Sequence, residues 1–111
     1  MKPECTFDDF SKLDIRTGTI LSIEPVPKSK KLLKLEVSFG PEVGNRVILA
    51  GIAQAYPDRV AVGSQVTAVI NLAPRMMMGM TSHGMLLASH DAEENIWLVK
   101  AGAVSDGTEV G

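Results

Sequence analysis

Apolar residues in this chain recur first at helical and then at strand spacing. Phe7, Phe10 and Leu13 stand three residues apart behind Thr6, which can cap a helix, and Asp8 and Asp9 fall in the first turn, where the positive helix end favours carboxylates. This predicts a short N-terminal helix that closes over the core with Phe7 and Phe10. From Ile15 the period becomes two. Ile15, Thr17, Thr19, Leu21 and Ile23 share one face of a first strand, with Gly18 placed where a strand can bend or bulge. Pro25 and Pro27 end it, and Leu33, Leu35, Val37 and Phe39 alternate with Lys34, Glu36 and Ser38 in a second strand. The turn chemistry of residues 40–45 leads into a third strand at Val47–Ala50.

Residues 51–64, with Gly51, Pro57 and Gly63, read as a loop holding one helical turn. A fourth strand is predicted at Gln65–Leu72 and a fifth at Gly84–Ala88, joined by a loop marked by Pro74, Gly79 and Ser82. Ile96–Val99 is a last short strand before a glycine-rich end. Five or six short strands with one helical turn between them favour a small closed barrel over a sandwich, which needs about seven. The expected fold is therefore all-β, an oligonucleotide-binding (OB) barrel of five strands. It carries a short N-terminal helix and extra C-terminal strand structure, all in a single domain over residues 1–111.

Composition agrees with one domain: 111 residues, 45% hydrophobic and 22% charged. The single cysteine, Cys5, cannot form an internal disulfide, and there is no CxxC pair to hold zinc. No apolar run approaches the roughly 20 residues that span a membrane. The start, Met1-Lys2-Pro3-Glu4, lacks the apolar stretch of a signal peptide, so the expectation is a cytoplasmic protein without a membrane partner. Net charge is -2, which by itself argues against nucleic acid, but the distribution changes that reading. Both ends are acidic, whereas residues 25–90 carry a local excess of four positive charges, so a polyanion should meet the middle of the chain.

Catalytic signals are missing. His83 and His90 have no cysteine partner, and no GxSxG, GxxxxGK[ST] or HExxH motif occurs, so no catalytic residue, metal site or cofactor is expected. Aromatic residues are few: Phe7, Phe10, Phe39, Tyr56 and Trp97. Phe7, Phe10 and Phe39 read as core, Tyr56 is left open, and the several stacking aromatics of a general single-strand binder are lacking.

Three segments in order carry a resemblance. These are Phe10–Ile20 (FSKLDIRTGTI), Lys31–Val37 (KLLKLEV), and Asn71–Pro74 through Gly79 followed by Ser82–Leu87 (SHGMLL). They resemble the tRNA-binding domain found at the C-terminus of many methionyl-tRNA synthetases, in free-standing bacterial tRNA-binding proteins and in CsaA-type secretion chaperones. The resemblance implies an OB barrel with added C-terminal structure and, in bacterial members, a homodimer that recognises the outer corner of tRNA. It implies tRNA as the partner, with the catalytic region of a methionyl-tRNA synthetase as a second. The turn Phe39–Gly44 is closer to the CsaA-type chaperones, which makes the rival reading a chaperone that binds unfolded peptide on the methionine-rich loop.

The candidate tRNA-binding residues follow from charge and placement. Lys28, Lys30, Lys31 and Lys34 put four of the eleven cations within seven residues at a strand-to-strand turn, where they would contact phosphates without reading bases. Arg46 adds to the basic middle. Arg75 is the one cation in the loop that also holds Met76, Met77, Met78 and Met80, and Asn71, Ser82 and His83 could supply hydrogen bonds at its two ends.

Overall fold

A computed structural model describes residues 1–111. Two short helices and ten strands form a curled half-barrel sheet with two small hairpins attached. The elements are α1 (Phe7–Ser11), β1 (Ile15–Pro25), β2 (Leu33–Ser38), α2 (Gly40–Val43), β3 (Asn45–Ala50), β4 (Gln65–Val69), β5 (Arg75–Met77), β6 (Met80–Ser82), β7 (Met85–Leu86), β8 (Ala88–His90), β9 (Ile96–Leu98) and β10 (Glu109–Val110). A single 3-10 turn, Ala53–Ala55, is the helical turn predicted between the third and fourth strands.

The main sheet runs β3-β2-β1-β4-β7, all antiparallel, with β10 also on β1. β1 is the hinge of the architecture. Its first half, Ile15–Thr19, pairs with β4, and Thr19–Pro25 pairs with β2. The edge of β1 that β2 leaves open is taken by β10 at Ile15 and Arg16. Leu33, Leu35, Val37 and Phe39 all point into the core beside Ile20, Ile48, Val60 and Val66. Each such side chain removed from water contributes about 1.5–3 kcal/mol before conformational entropy is counted.

The curl brings the far edge of β3 back towards the chain after β6. The His83 amide donates to the Val47 carbonyl at 2.9 Å, and the Leu49 amide donates to the Ser82 hydroxyl at 2.9 Å. A free edge would otherwise expose unpaired backbone groups. Two buried threonines tie down the C-terminal segment. Thr17 donates to Ser105 O at 2.9 Å and Thr67 to Val99 O at 2.8 Å, so each inward hydroxyl has an acceptor.

Four expectations need correction. In β1 the single apolar face does not persist, because the pairing with β2 shifts register between Ile20 and Ser22. Ile20 enters the core and Leu21 is exposed, and the extra residue at the bulge brings Ile23 back to the core face of Ile20, away from the face of Ile15 and Thr17. Gly18 serves close approach rather than the bulge itself: a Cβ there would lie 2.8 Å from Ser38 O and 2.9 Å from Phe39 Cδ1. Second, Phe7 and Phe10 are not core. The capping box between Thr6 and Asp9 forms, but α1 is five residues long, buries nothing, and leaves Phe7 79% and Phe10 46% exposed. Third, the loop between the fourth and fifth strands is a β-hairpin, β5–β6. Met78 (φ 51°) and Gly79 (φ 78°) make its two-residue turn, the left-handed pair that such hairpins need, without the usual Asn-Gly signature. Fourth, the fifth strand is split: Met85–Leu86 pairs with β4, whereas Ala88–His90 leaves the main sheet to pair with Ile96–Leu98.

Candidate nucleic-acid interface

The basic turn between β1 and β2 is built so that its lysines stay outside. Val26 is buried and anchors the entry, and Ser29 holds the turn from within, accepting from the Leu32 amide at 3.1 Å and the Lys31 amide at 3.4 Å. Lys28 takes φ 66° to make the reversal. The Ala53 amide donates to Lys31 O at 3.0 Å, which pins the turn against the 3-10 segment. Lys28, Lys30 and Lys31 therefore project from a fixed backbone.

Lys30 and Lys31 line a groove of about 590 Å³ whose other walls include Gln54, His90, Glu94 and Ile96. A second groove of about 280 Å³ adjoins it and is lined by Arg75, Met77 and Met85, with Leu49 and Ile52 at its base. The two share Gly51 and His90. Lys30 and Lys31, and Arg75 far from them in sequence, thus border one continuous surface with His90 between them and Glu94 as its one carboxylate. β8 carries His90 to this place by leaving the main sheet and pairing with β9, where His90 faces Ile96.

The other candidate residues lie elsewhere or are already bonded within the protein. Lys28 is exposed on the same turn but lines neither groove. Lys34 projects from the opposite face of its strand to the core leucines, is 3.9 Å from its cross-strand neighbour Glu24, and lines a separate hollow with Ser22 and Glu36. The Arg46 guanidinium donates to the Ile70 carbonyl, joining β3 to the end of β4. Asn71 clamps the segment between α1 and β1: its carboxamide oxygen accepts from the Asp14 amide at 2.8 Å and its nitrogen donates to Lys12 O at 2.6 Å. Ser82 is buried, accepting from Leu49 and donating to Gly84 O at 3.1 Å. His83 is exposed, and its backbone rather than its ring closes the sheet.

At the edge of the groove, the turn Asp91–Asn95 that carries Glu94 is organised by Asp91, whose carboxylate accepts from the amides of Glu93 and Asn95, both at 2.9 Å, and from the Asn95 side chain at 3.1 Å. The bonds from Asn95, backbone first, hold the Asp91 carboxyl below the usual aspartate range. In β1, Arg16 is bound to Asp14 at 2.6 Å, a bond that raises its pKa further, and also donates to Gly107 O. That cation is therefore engaged away from the groove. No group of three or more His, Cys, Asp or Glu residues comes together in a way that could hold a metal ion.

Residues 15–109 match the family model described as "Putative tRNA binding domain". The chain belongs to the tRNA-binding domain family. Over 95 residues it is 50% identical to a methionine–tRNA ligase of Methanococcoides burtonii, an overlap of 86% of this chain and 14% of the ligase. The crystal structure of a MetRS related protein from Pyrococcus horikoshii superposes with a TM-score of 0.86 at 30% identity, covering 99% of this chain and 100% of that one. The chaperone CsaA from Bacillus anthracis superposes with a TM-score of 0.85 at 28% identity, covering 98% and 100%. The tRNA-binding domain thus spans a small part of the ligase it matches and the full length of the two compact structures.

Within this tRNA-binding domain, Gln54 and His90 line the groove but were not among the candidates drawn from sequence. Gln54 sits in a short apolar stretch, and His90 has no neighbour in sequence that points to a nucleic acid. No local signal marks either one, because their position depends on the β8–β9 pairing and on the 3-10 turn.

Proposed function

We propose that this tRNA-binding domain holds folded tRNA along the surface bordered by Lys30, Lys31 and Arg75 and catalyses no reaction itself. The observation that carries this reading is the convergence of those three cations around His90 in a chain whose net charge is negative. Phosphate contacts of this kind give affinity and orientation, while recognition comes from the shape of the RNA. The domain would raise the local concentration of tRNA beside the catalytic region of a methionyl-tRNA synthetase, in the cytoplasm. The relatives support that placement, since the matched ligases carry this domain as a minor part of their length. Two copies would pair through the apolar side of α1, where Phe7 and Phe10 are exposed, together with Leu13 just beyond it.

One observation favours a second reading. Met76, Met78 and Met85 are exposed, and flexible thioether side chains suit an adaptable surface for unfolded peptide, as in a CsaA-type chaperone. The decisive experiment is the salt dependence of tRNA binding by the Lys30→Ala/Lys31→Ala variant. Loss of two phosphate contacts should make the slope of log K against log salt shallower by roughly 1.4 to 1.8, and equally for every tRNA. A folded double variant with unchanged affinity and slope would move the site off this groove and leave the peptide reading ahead.

A further inference from the structure

Trp97, the chain's only tryptophan, lies in β9 with 52% of its surface exposed, while its neighbour Ile96 is buried. The indole is held in place. The Arg59 guanidinium stands 4.9 Å from the ring centroid. It is fixed in turn by two hydrogen bonds of 2.9 Å, from Nε to Ile96 O and from Nη2 to Gln54 Oε1. Gln54 Oε1 also accepts from the Ile96 amide at 3.2 Å, and Gln54 lines the groove that holds Lys30 and Lys31. A bonded bridge, Gln54 to Arg59, therefore connects the basic groove to an open aromatic surface.

The turn that leads into β9 is acidic, and one of its carboxylates, Glu94, also lines the groove. Asp91, Glu93 and Glu94 form an exposed acidic turn before β9. Carboxylates there disfavour a phosphate but not an uncharged ring. An indole with a guanidinium over its ring and half of its surface exposed offers a π-surface of the kind on which unstacked bases settle. Resting on the tRNA-binding reading above, we infer that the Arg59–Trp97 pair is a stacking shelf for one unpaired nucleobase of the RNA whose phosphates follow Lys30 and Lys31. A base inside a continuous duplex has no free face to offer, so the shelf selects RNA with splayed loop nucleotides over plain duplex.

Because Trp97 is the sole tryptophan, its emission reports the contact directly in the full chain. Titration with unfractionated tRNA should quench the emission strongly, with a midpoint matching that of filter retention, whereas a blunt RNA duplex retained through its phosphates should leave it nearly unchanged. Trp97→Ala should weaken tRNA binding by about 5- to 150-fold, the range for loss of one stacked base, with the salt slope intact. Trp97→Phe, which keeps a ring, should recover most of that loss. Retention of tRNA with unaltered Trp97 emission and unaltered acrylamide quenching would overturn the shelf while leaving the tRNA-binding reading standing. So would an indole already shielded from acrylamide in the free protein, which would mark it as a contact between copies. No retention of tRNA at all would remove both.

Discussion

Leu49 donates its amide to the hydroxyl of Ser82 at 2.9 Å, and both residues are buried. With the adjacent bond from His83 N to Val47 O, this link fastens the edge of β3 to the chain leaving the methionine hairpin. It sets the position of Arg75, since Ser82 is the cross-strand partner of Arg75 in that hairpin. A structural hydroxyl and a candidate phosphate ligand are therefore coupled across one strand pair.

Ser82→Ala should destabilise the fold by about 1–3 kcal/mol, because it leaves the buried Leu49 amide without an acceptor. Urea unfolding measures this directly. A loss under about 0.5 kcal/mol, the scale of an ordinary surface change, would show that the amide finds another partner.

Arg75 and Lys34 separate the groove from cations outside it. Arg75→Ala should lower the salt slope of tRNA binding by about 0.7–0.9, whereas Lys34→Ala, on the hollow shared with Glu24, should leave it where it is. Removing the exposed pair with Glu24 should also change stability by less than about 1 kcal/mol. Equal slopes for the two variants would contradict the division between the two surfaces.

Acid should loosen the Asp91–Asn95 turn later than an isolated aspartate would suggest. Its folded pKa is lowered, chiefly by the bonds from Asn95, so the stabilisation is present above the unfolded value and disappears as pH falls through the folded one. The Glu93 and Asn95 amide resonances should titrate together with a midpoint below about 3.9, the ordinary aspartate value. A midpoint at or above that value, or one that survives Asp91→Asn, would rule out the hydrogen-bond cause.

Phe7→Ser/Phe10→Ser should turn a dimer into a monomer by sedimentation, since neither ring is buried within its own chain. The unfolding behaviour of the monomer itself should change little. A wild-type chain that sediments as a monomer at tens of micromolar would remove the pairing through α1.

Local pattern was enough for much of this protein. Alternation from Leu33 to Phe39 placed β2 with its three core side chains and Phe39 just past its end, Thr6 and Asp9 made the capping box, and clustered lysines marked the basic turn. Each of these rests on a period or a spacing of a few residues, which is written in the chain itself. The motif segments likewise carried the family from sequence alone. What local pattern could not supply came from pairing between distant residues. The bulge after Ile20 reversed a face because β2 fixes the register there, and Phe7 and Phe10 were left exposed because α1 does not pack on the core. Asn71, Ser82 and Arg46 have side chains that suit a ligand as well as a backbone partner, and only the pairing of β1 with β4 and the closing of the sheet gave Asp14, Leu49 and Ile70 to them. The pairing of β8 with β9, packed against the 3-10 turn, set His90 between Lys31 and Arg75 and joined Gln54, Arg59 and Trp97, because a site assembled from separated strands exists only once those strands are paired.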